Sequence, residues 1–318
     1  MNQPLVSVIC LCHNQAQFVT EALLSVINQT YQHIEIIIID DASIDESVGV
    51  INKIITEFPL IQFLEIEKNI GNCRAFNQGF AISKGDYIID FAADDVMNGD
   101  RIAKQIAAFQ ALSMDYGVVF SDAVYVDAQG NFLRQHYEYL FQKRLLKEVP
   151  QGDVYANIVS VYFIASPTMM VKRNVFVELN GYDENLVYED FDFWVRSARI
   201  FKYAFVNETL TKIRKSRKSM STGWYKQGDL QLHSTYLICK KIKKLNRDPK
   251  DVEALIKRVR FEIRQSVFSK NIKEAELFYT LLTELINPNC MDRLLINIRH
   301  LPFPFRFIRN LYHIIRYN

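Results

Sequence analysis

No run of about 18 apolar residues occurs in the 318-residue sequence, so no segment reads as crossing a membrane. Met1-Asn2-Gln3-Pro4 leads into a strand-like run with neither a basic region nor an apolar signal core, and a cytoplasmic setting is the expectation. Cysteine is sparse: five residues, an odd number without regular spacing, point to a reducing compartment. Cys10 and Cys12, two apart in a strand, read as small buried hydrophobes and not as a metal pair. Net charge is nearly absent as well, with 38 Lys and Arg against 36 Asp and Glu. A net +2 is too small to argue for nucleic acid as a partner. No Gly-x-Gly-x-x-Gly follows the first strand, where the loop is Cys12-His13-Asn14-Gln15-Ala16, and no Gly-Lys-Ser/Thr occurs, which disfavours dinucleotide-binding dehydrogenases and P-loop enzymes. Internal repeats and low-complexity tracts are also missing.

What is present is an ordinary globular composition, 49% apolar and 23% charged, on a chain longer than one typical domain. The expectation is an α/β domain with an appendage, or two domains. The stretch Phe91-Ala92-Ala93-Asp94-Asp95 organises the rest. It closes the apolar run Asp86 to Phe91, a strand pattern, and sets two adjacent carboxylates where a loop should begin. Hard divalent cations such as Mg²⁺ or Mn²⁺ take one or two such carboxylates and complete their shell with water and phosphate oxygens. The competing reading is that Asp94 and Asp95 cap a helix starting near Asn98.

Taken in order, Leu5–Leu11, Ile34–Ile39, about Ile61 to Ile66 and the run to Phe91 read as buried strands. Helical patterns lie between them, around Phe18–Ile27, from Asp45–Glu46 through Ile55, and about Cys73–Ser83. That alternation predicts a mostly parallel central sheet with helices on both faces. Ligands of such sheets bind beyond the carboxyl ends of the strands, where His13-Asn14, Asp40-Asp41 and Asp94-Asp95 all fall. Further on, a helix is expected over about Asp100–Ser113, strands at Gly117–Phe120, Ala123–Val126 and Pro167–Val171, and turns at Ala128–Asn131 and Asn180–Asp183. Residues from about Phe132 to Pro150 carry no clear pattern. Glu189-Asp190-Phe191-Asp192-Phe193-Trp194 opens a helix, and the helix dipole alone is a structural reason for acids there.

From about Ser219 the chain turns helical and cationic, with Lys240 to Lys244 and Lys257 to Arg260 as basic clusters. The last 27 residues carry five arginines and no acid after Asp292, set among residues such as Leu294, Phe303, Phe307 and Ile314. Such a tail suits an anionic membrane surface; the alternative is a helical appendage packing its apolar stripe on the catalytic domain or on a second subunit.

Together Val6-Ser7-Val8-Ile9 with Asn14, Glu35 to Ser43, Asn69-Ile70-Gly71 with Asn77-Gln78-Gly79, Gly85-Asp86-Tyr87-Ile88 running to Asp94-Asp95, and Gly181-Tyr182-Asp183 with Glu189 to Trp194 resemble the inverting glycosyltransferases of family 2, of bacterial polysaccharide type, with the GT-A fold. The likeness covers roughly residues 4 to 222. It implies a donor half at about 1–127, an acceptor half at about 128–222 and a basic helical region at 223–318. It also implies a nucleotide-sugar donor, commonly a UDP-sugar, Mg²⁺ or Mn²⁺, and a glycan or lipid-linked acceptor. Peripheral contact with the inner membrane face and a homodimer are left as open partner states. Carried onto this chain, Asp41 reads the base edge, Asn14, Arg74, Asn77 and Asp94 contact the donor, Asp94 and Asp95 serve the metal and ribose, Asp190 is the general base, and Glu189 orients it or meets the acceptor.

Three departures stand out. An acid common in the family two residues before Asp94 is Ala92 here, and Phe76 stands where the family often has an arginine. Ser216 falls where a histidine commonly closes the metal site, so Arg214 or Lys215 becomes a candidate for positive charge at the diphosphate. A catalytically impaired sugar- or nucleotide-binding scaffold and a nucleotidyltransferase are the competing classes. The latter usually needs a glycine-rich basic loop that His13–Phe18 does not offer.

Overall fold

A nine-stranded sheet runs through the computed structural model, which describes residues 3–215 and 225–300. Its order is β3-β2-β1-β4-β8-β6-β9-β5, with β7 on the open side of β6. The strands are β1 (Val6–Cys12), β2 (Ile34–Asp41), β3 (Gln62–Ile66), β4 (Tyr87–Ala92), β5 (Val96–Met97), β6 (Tyr116–Val126), β7 (Phe132–Gln135), β8 (Met170–Lys172) and β9 (Lys202–Arg214). The first four are mutually parallel, as the alternation requires. Beyond β4 directions mix: β8 runs antiparallel to both β4 and β6, while β6 and β9 run parallel. The expected pair of strands between Gly117 and Val126 is one long strand, with register shifts around Asp122. The expected strand at Pro167 begins later, because Ser166–Thr168 forms a 3-10 turn.

The helices sort by strand periodicity. Val8, Cys10 and Ile38 face one core with α1 (Val19–Ile27), α2 (Ser47–Glu57) and α4 (Arg101–Gln110). Ile9, Ile37 and Ile39 face the other, with α3 (Asn72–Ile82). Gly79 lets α3 lie directly on the sheet, since a Cβ there would stand 2.6 Å from Ile9 and 2.7 Å from Ile39. The same second core takes in α5 (His136–Gln142), α6 (Tyr155–Ser160), α7 (Arg173–Leu179) and α8 (Asp190–Ser197). Only α8 among these four was expected from sequence.

The C-terminal helices α9 (Leu230–Leu245), α10 (Pro249–Phe268), α11 (Ile272–Leu285) and α12 (Cys290–Asn297) close this second core, with Leu255, Val259 and Phe278 buried in the same cluster as Val159 and Phe191. Their basic residues are largely engaged inward. Lys241 pairs with Asp183 and Asp192, Lys243 with Glu284, and Arg260 with Asp292. Arg258 is buried against Glu262, donates to the Val159 carbonyl at 2.9 Å and lies 3.9 Å over the Tyr162 ring. Several residues of the two basic clusters thus form ion pairs within the fold. The expected boundary at 222/223 falls in residues 216–224, and most of the basic tail in 301–318, both outside the described residues. No helix among the described residues is long and apolar enough to cross a membrane.

Because Arg258 and Glu262 are desolvated together, removing one partner strands the other. Arg258→Ala should cost about 3–5 kcal/mol in chemical denaturation. A loss below 1 kcal/mol would mean that α10 contributes little to the fold it caps.

Candidate active site

Strand register builds the site. Cys12 lies beside Asp40 and Leu11 beside Ala92, so the loops after β1, β2 and β4 leave the sheet at one level. The first two loops are stitched together. Asn14, at φ 56°, donates its backbone N–H to Ser43 Oγ and accepts from the Ile44 N–H through its side chain. His13 Nδ1 meets the Asp41 carbonyl at 2.7 Å. Asp40 holds the turn by accepting from Ser43 N and Oγ.

Asp41 is 7% exposed, and its two carboxylate oxygens accept the backbone amides of Ile70 at 2.8 Å and Gly71 at 2.9 Å. It thus fixes the loop between β3 and α3. Asn77 and Arg74, expected at the donor, are engaged elsewhere. Asn77 clamps the turn at 181–184, accepting from Tyr182 N and donating to Tyr182 O and the Glu184 carboxylate. Arg74 is exposed and pairs with the same Glu184. Phe76 is fully buried against Phe176 and Tyr182.

The Asp94-Asp95 pair sits between β4 and β5, and its two members part ways. Asp95 turns inward at 2% exposure and accepts the Arg214 amide at 2.9 Å, binding the end of β9 to the rim. Burial holds its carboxyl well above the usual range and the Asp94 charge adds to this, while the Arg214 amide, Lys215 and Arg101 pull it down. Asp94 is half-buried and is also pushed up by burial, opposed by Arg214, Lys215 and the Gln15 side chain. Gln15 keeps its Oε1 buried without a hydrogen-bond partner. Neither aspartate caps α4: its N-cap is Asp100, with no side-chain cap.

Arg214 is held by protein groups. Its guanidinium donates to the carbonyls of Asp94, Asp127 and Ala128 and to Glu21, and lies 4.6 Å over the Phe18 ring. Lys215, next in the chain, feels the charges of the acids. Burial lowers its ammonium, and the charges of Asp95, Asp94 and Asp190 oppose that while Arg134 reinforces it. One ammonium therefore lies in the field of carboxylates from β4–β5 and from α8.

Glu189 and Asp190 open α8, each with part of its surface exposed. Burial raises both carboxyls. Asp190 is lifted well above the usual range, with Glu189 and Asp90 adding to the effect and the Ser166 hydroxyl countering it. Glu189 is moderated by Asn72, and its Oε2 is buried without a hydrogen-bond partner. Sequence reasoning passed over Asp90, Gln15 and Ser166. An acid inside an otherwise apolar strand was the available signal for Asp90.

A model of glycosyl transferase family 2 matches residues 7–177. An uncharacterized glycosyltransferase of Methanocaldococcus jannaschii, MJ1057, is 29% identical over 218 residues, covering 67% of this chain and 72% of that protein. One from Haemophilus influenzae is 38% identical over 106 residues, 33% of this chain, and the match spans only 42% of that relative. Among solved structures, Staphylococcus aureus TarS 1–349 in complex with UDP-GlcNAc superposes with a TM-score of 0.65 at 19% identity, over 98% of this chain and 89% of that one. The mannosyltransferase PcManGT from Pyrobaculum calidifontis, in complex with GDP-Man and Mn²⁺, gives 0.63 at 14%, over 100% and 86%. At these identities the structural likeness speaks for the fold, which is the GT-A arrangement with C-terminal helices.

Asp41 accepts two half-buried amides, and its truncation leaves both without that acceptor. Asp41→Ala should lower unfolding stability by about 1–3 kcal/mol whether or not a nucleotide is present. Unchanged stability would show that the loop at 69–71 is held by other contacts.

Proposed function

This chain belongs to glycosyl transferase family 2, and from that premise we propose that it moves a sugar from a nucleoside diphosphate donor, a UDP-sugar in the first instance, to a hydroxyl of a glycan or lipid-linked acceptor with inversion. The setting we propose is cell-surface polysaccharide synthesis at the cytoplasmic membrane face. The observation that supports the reading is strand register, which brings the ends of β1, β2 and β4, with Asn14, Asp41 and Asp94, to one level, while the charges of Asp94 and Asp190 both act on the Lys215 ammonium. Two carboxylates with separate tasks, one at a departing diphosphate and one at an incoming hydroxyl, are what a single-displacement transfer requires. The complexes of TarS with UDP-GlcNAc and of PcManGT with GDP-Man and Mn²⁺ support the donor class and the metal.

No group of three or more His, Cys, Asp or Glu side chains among the described residues is arranged to hold a metal. The donor set nevertheless suits Mg²⁺ or Mn²⁺. Half-buried Asp94, with Gln15 Oε1 unpartnered beside it and Asp95 behind, offers hard oxygens in the small number such ions take from protein. A divalent ion bound there would neutralise charge on the diphosphate.

The chain's own residues do the rest. Asp41 keeps a lone pair on each oxygen for the imino N–H of a uracil. Lys215 stabilises negative charge growing on the leaving diphosphate. Asp190 removes the acceptor proton as the new C–O bond forms on the face opposite the breaking one, and its raised carboxyl makes it a stronger base than a solvated aspartate.

UDP with Mn²⁺ at about 100 times its dissociation constant should stabilise the protein by about 2.7 kcal/mol. Asp94→Ala should remove the Mn²⁺-dependent part of that gain. A response to CTP or UTP but not to UDP would favour nucleotidyl transfer, and no response to any nucleotide would favour a scaffold. Asp190→Asn should keep donor binding and lose about 10²–10⁴-fold in transfer; wild-type turnover by that variant would remove Asp190 from the mechanism.

A further inference from the structure

Tyr125, one residue before the end of β6, lies opposite Arg134 of β7 on one side and Ile213 of β9 on the other. Its hydroxyl meets Nδ1 of the buried His136 at 3.2 Å, and His136 Nε2 lies 2.8 Å from the Phe163 carbonyl. A carbonyl only accepts, so Nε2 carries the ring proton and Nδ1 takes the one from Tyr125. The Tyr125 ring is thereby fixed at its strand and at its tip.

Two cations share that ring. The Arg134 guanidinium carbon lies 4.7 Å from its centroid and the Lys215 ammonium 5.2 Å. Arg134 also lies 4.0 Å over the Tyr139 ring of α5, which Lys143 approaches at 5.8 Å. Aromatic faces attract such charges without neutralising them. Arg134 is half-buried and has the Tyr125 hydroxyl as a polar neighbour, but no carboxylate pairs with it among the described residues. A guanidinium held by its face keeps its N–H edge for an oxyanion, which it can meet with two parallel bonds.

We propose that Arg134 and Lys215, set on the Tyr125 ring, form an oxyanion subsite that binds a phosphate group of the acceptor. The inference rests on the reading of this chain as a sugar transferase. Its place in the fold speaks for the acceptor: the loops after β1, β2 and β4 make the nucleotide end, whereas Arg134 comes from β7, which joins the sheet through β6. Lys215 links the two regions, since its ammonium feels Asp94, Asp95 and Asp190 as well as Arg134. Two cations, one of them a planar fork, suit the greater charge and oxygen count of a phosphate better than those of a carboxylate.

Melting of the full chain with inorganic phosphate, at constant ionic strength, tests this. Phosphate strengthens burial in general by exclusion from protein surfaces, so the readout is the difference between variants. Arg134→Gln should need about tenfold more phosphate than wild type for half of the gain in melting temperature. Arg134→Lys, which keeps the charge and loses the fork, should fall between them, and Lys53→Gln, exposed on α2, should match wild type. Equal responses from wild type and both Arg134 variants would overturn the proposal. An equal Arg134-dependent gain with acetate would overturn the phosphate class. The same titration in saturating UDP and Mg²⁺ separates the two sources of phosphate. A gain that survives there assigns the subsite to the acceptor; one that vanishes gives it to the donor diphosphate and overturns the proposal. A chain that answers phosphate through Arg134 but answers no nucleotide would sink the transferase reading and leave the anion subsite standing.

Discussion

Mutual repulsion among carboxylates is the constraint that the active end of this molecule answers. Asp41, Asp94 and Asp95 lie where strands run out, Asp90 sits within β4, and Glu189 and Asp190 open α8. Two charges about 4 Å apart near a protein surface cost on the order of 4 kcal/mol if left unopposed. The surroundings supply different remedies at different points. Backbone amides take Asp41 and Asp95, a tyrosine takes Asp90, and the field of the Lys215 ammonium acts on Asp94 and Asp190. Asp90, Glu189 and Asp190 are met mainly by hydroxyl and amide groups, and burial raises the carboxyl of each.

That division separates two kinds of acid. At the ends of β2 and β4, Asp41 and Asp95 are braced by backbone amides that fix their positions. At the start of α8, burial raises the carboxyls of Glu189 and Asp190. The helix α8 separates two kinds of acid by geometry alone: Asp190 and Asp192 stand two residues and about 200° apart. One looks to the cleft, while the other is locked by Arg196 and Lys241. The C-terminal helices thus hold α8 in place from behind, which gives several of their lysines and arginines a task inside the fold.

Much of this was legible from residue order. Apolar runs ending in Asn14, Asp41 and Asp94 located the rim, because a parallel sheet with short crossovers leaves its loops at one end. The helix at Asp190 was legible from its acids and aromatic spacing. Short elements such as α6, α7 and β7 were not, since six, seven or four residues carry too little periodicity to stand out. The roles of Arg74 and Asn77 were also out of reach: the side-chain amide of Asn77 suits a ligand and a backbone turn equally, and only the neighbourhood of Tyr182 and Glu184 shows which it meets.

The linear chain by itself determined the periodicities, and so the parallel strands β1 to β4, the helices α1 to α4 and the acids at their ends. These are properties of neighbours within one element, decided by steric and burial preferences over a few residues. Which acids face inward and which face the cleft was decided by the folded chain alone. Asp95 is sealed by an amide 119 residues away and Asp90 is met by a tyrosine 92 residues away. The charge state of a carboxyl depends on everything within a few ångströms of it, and distance along the chain carries no record of that.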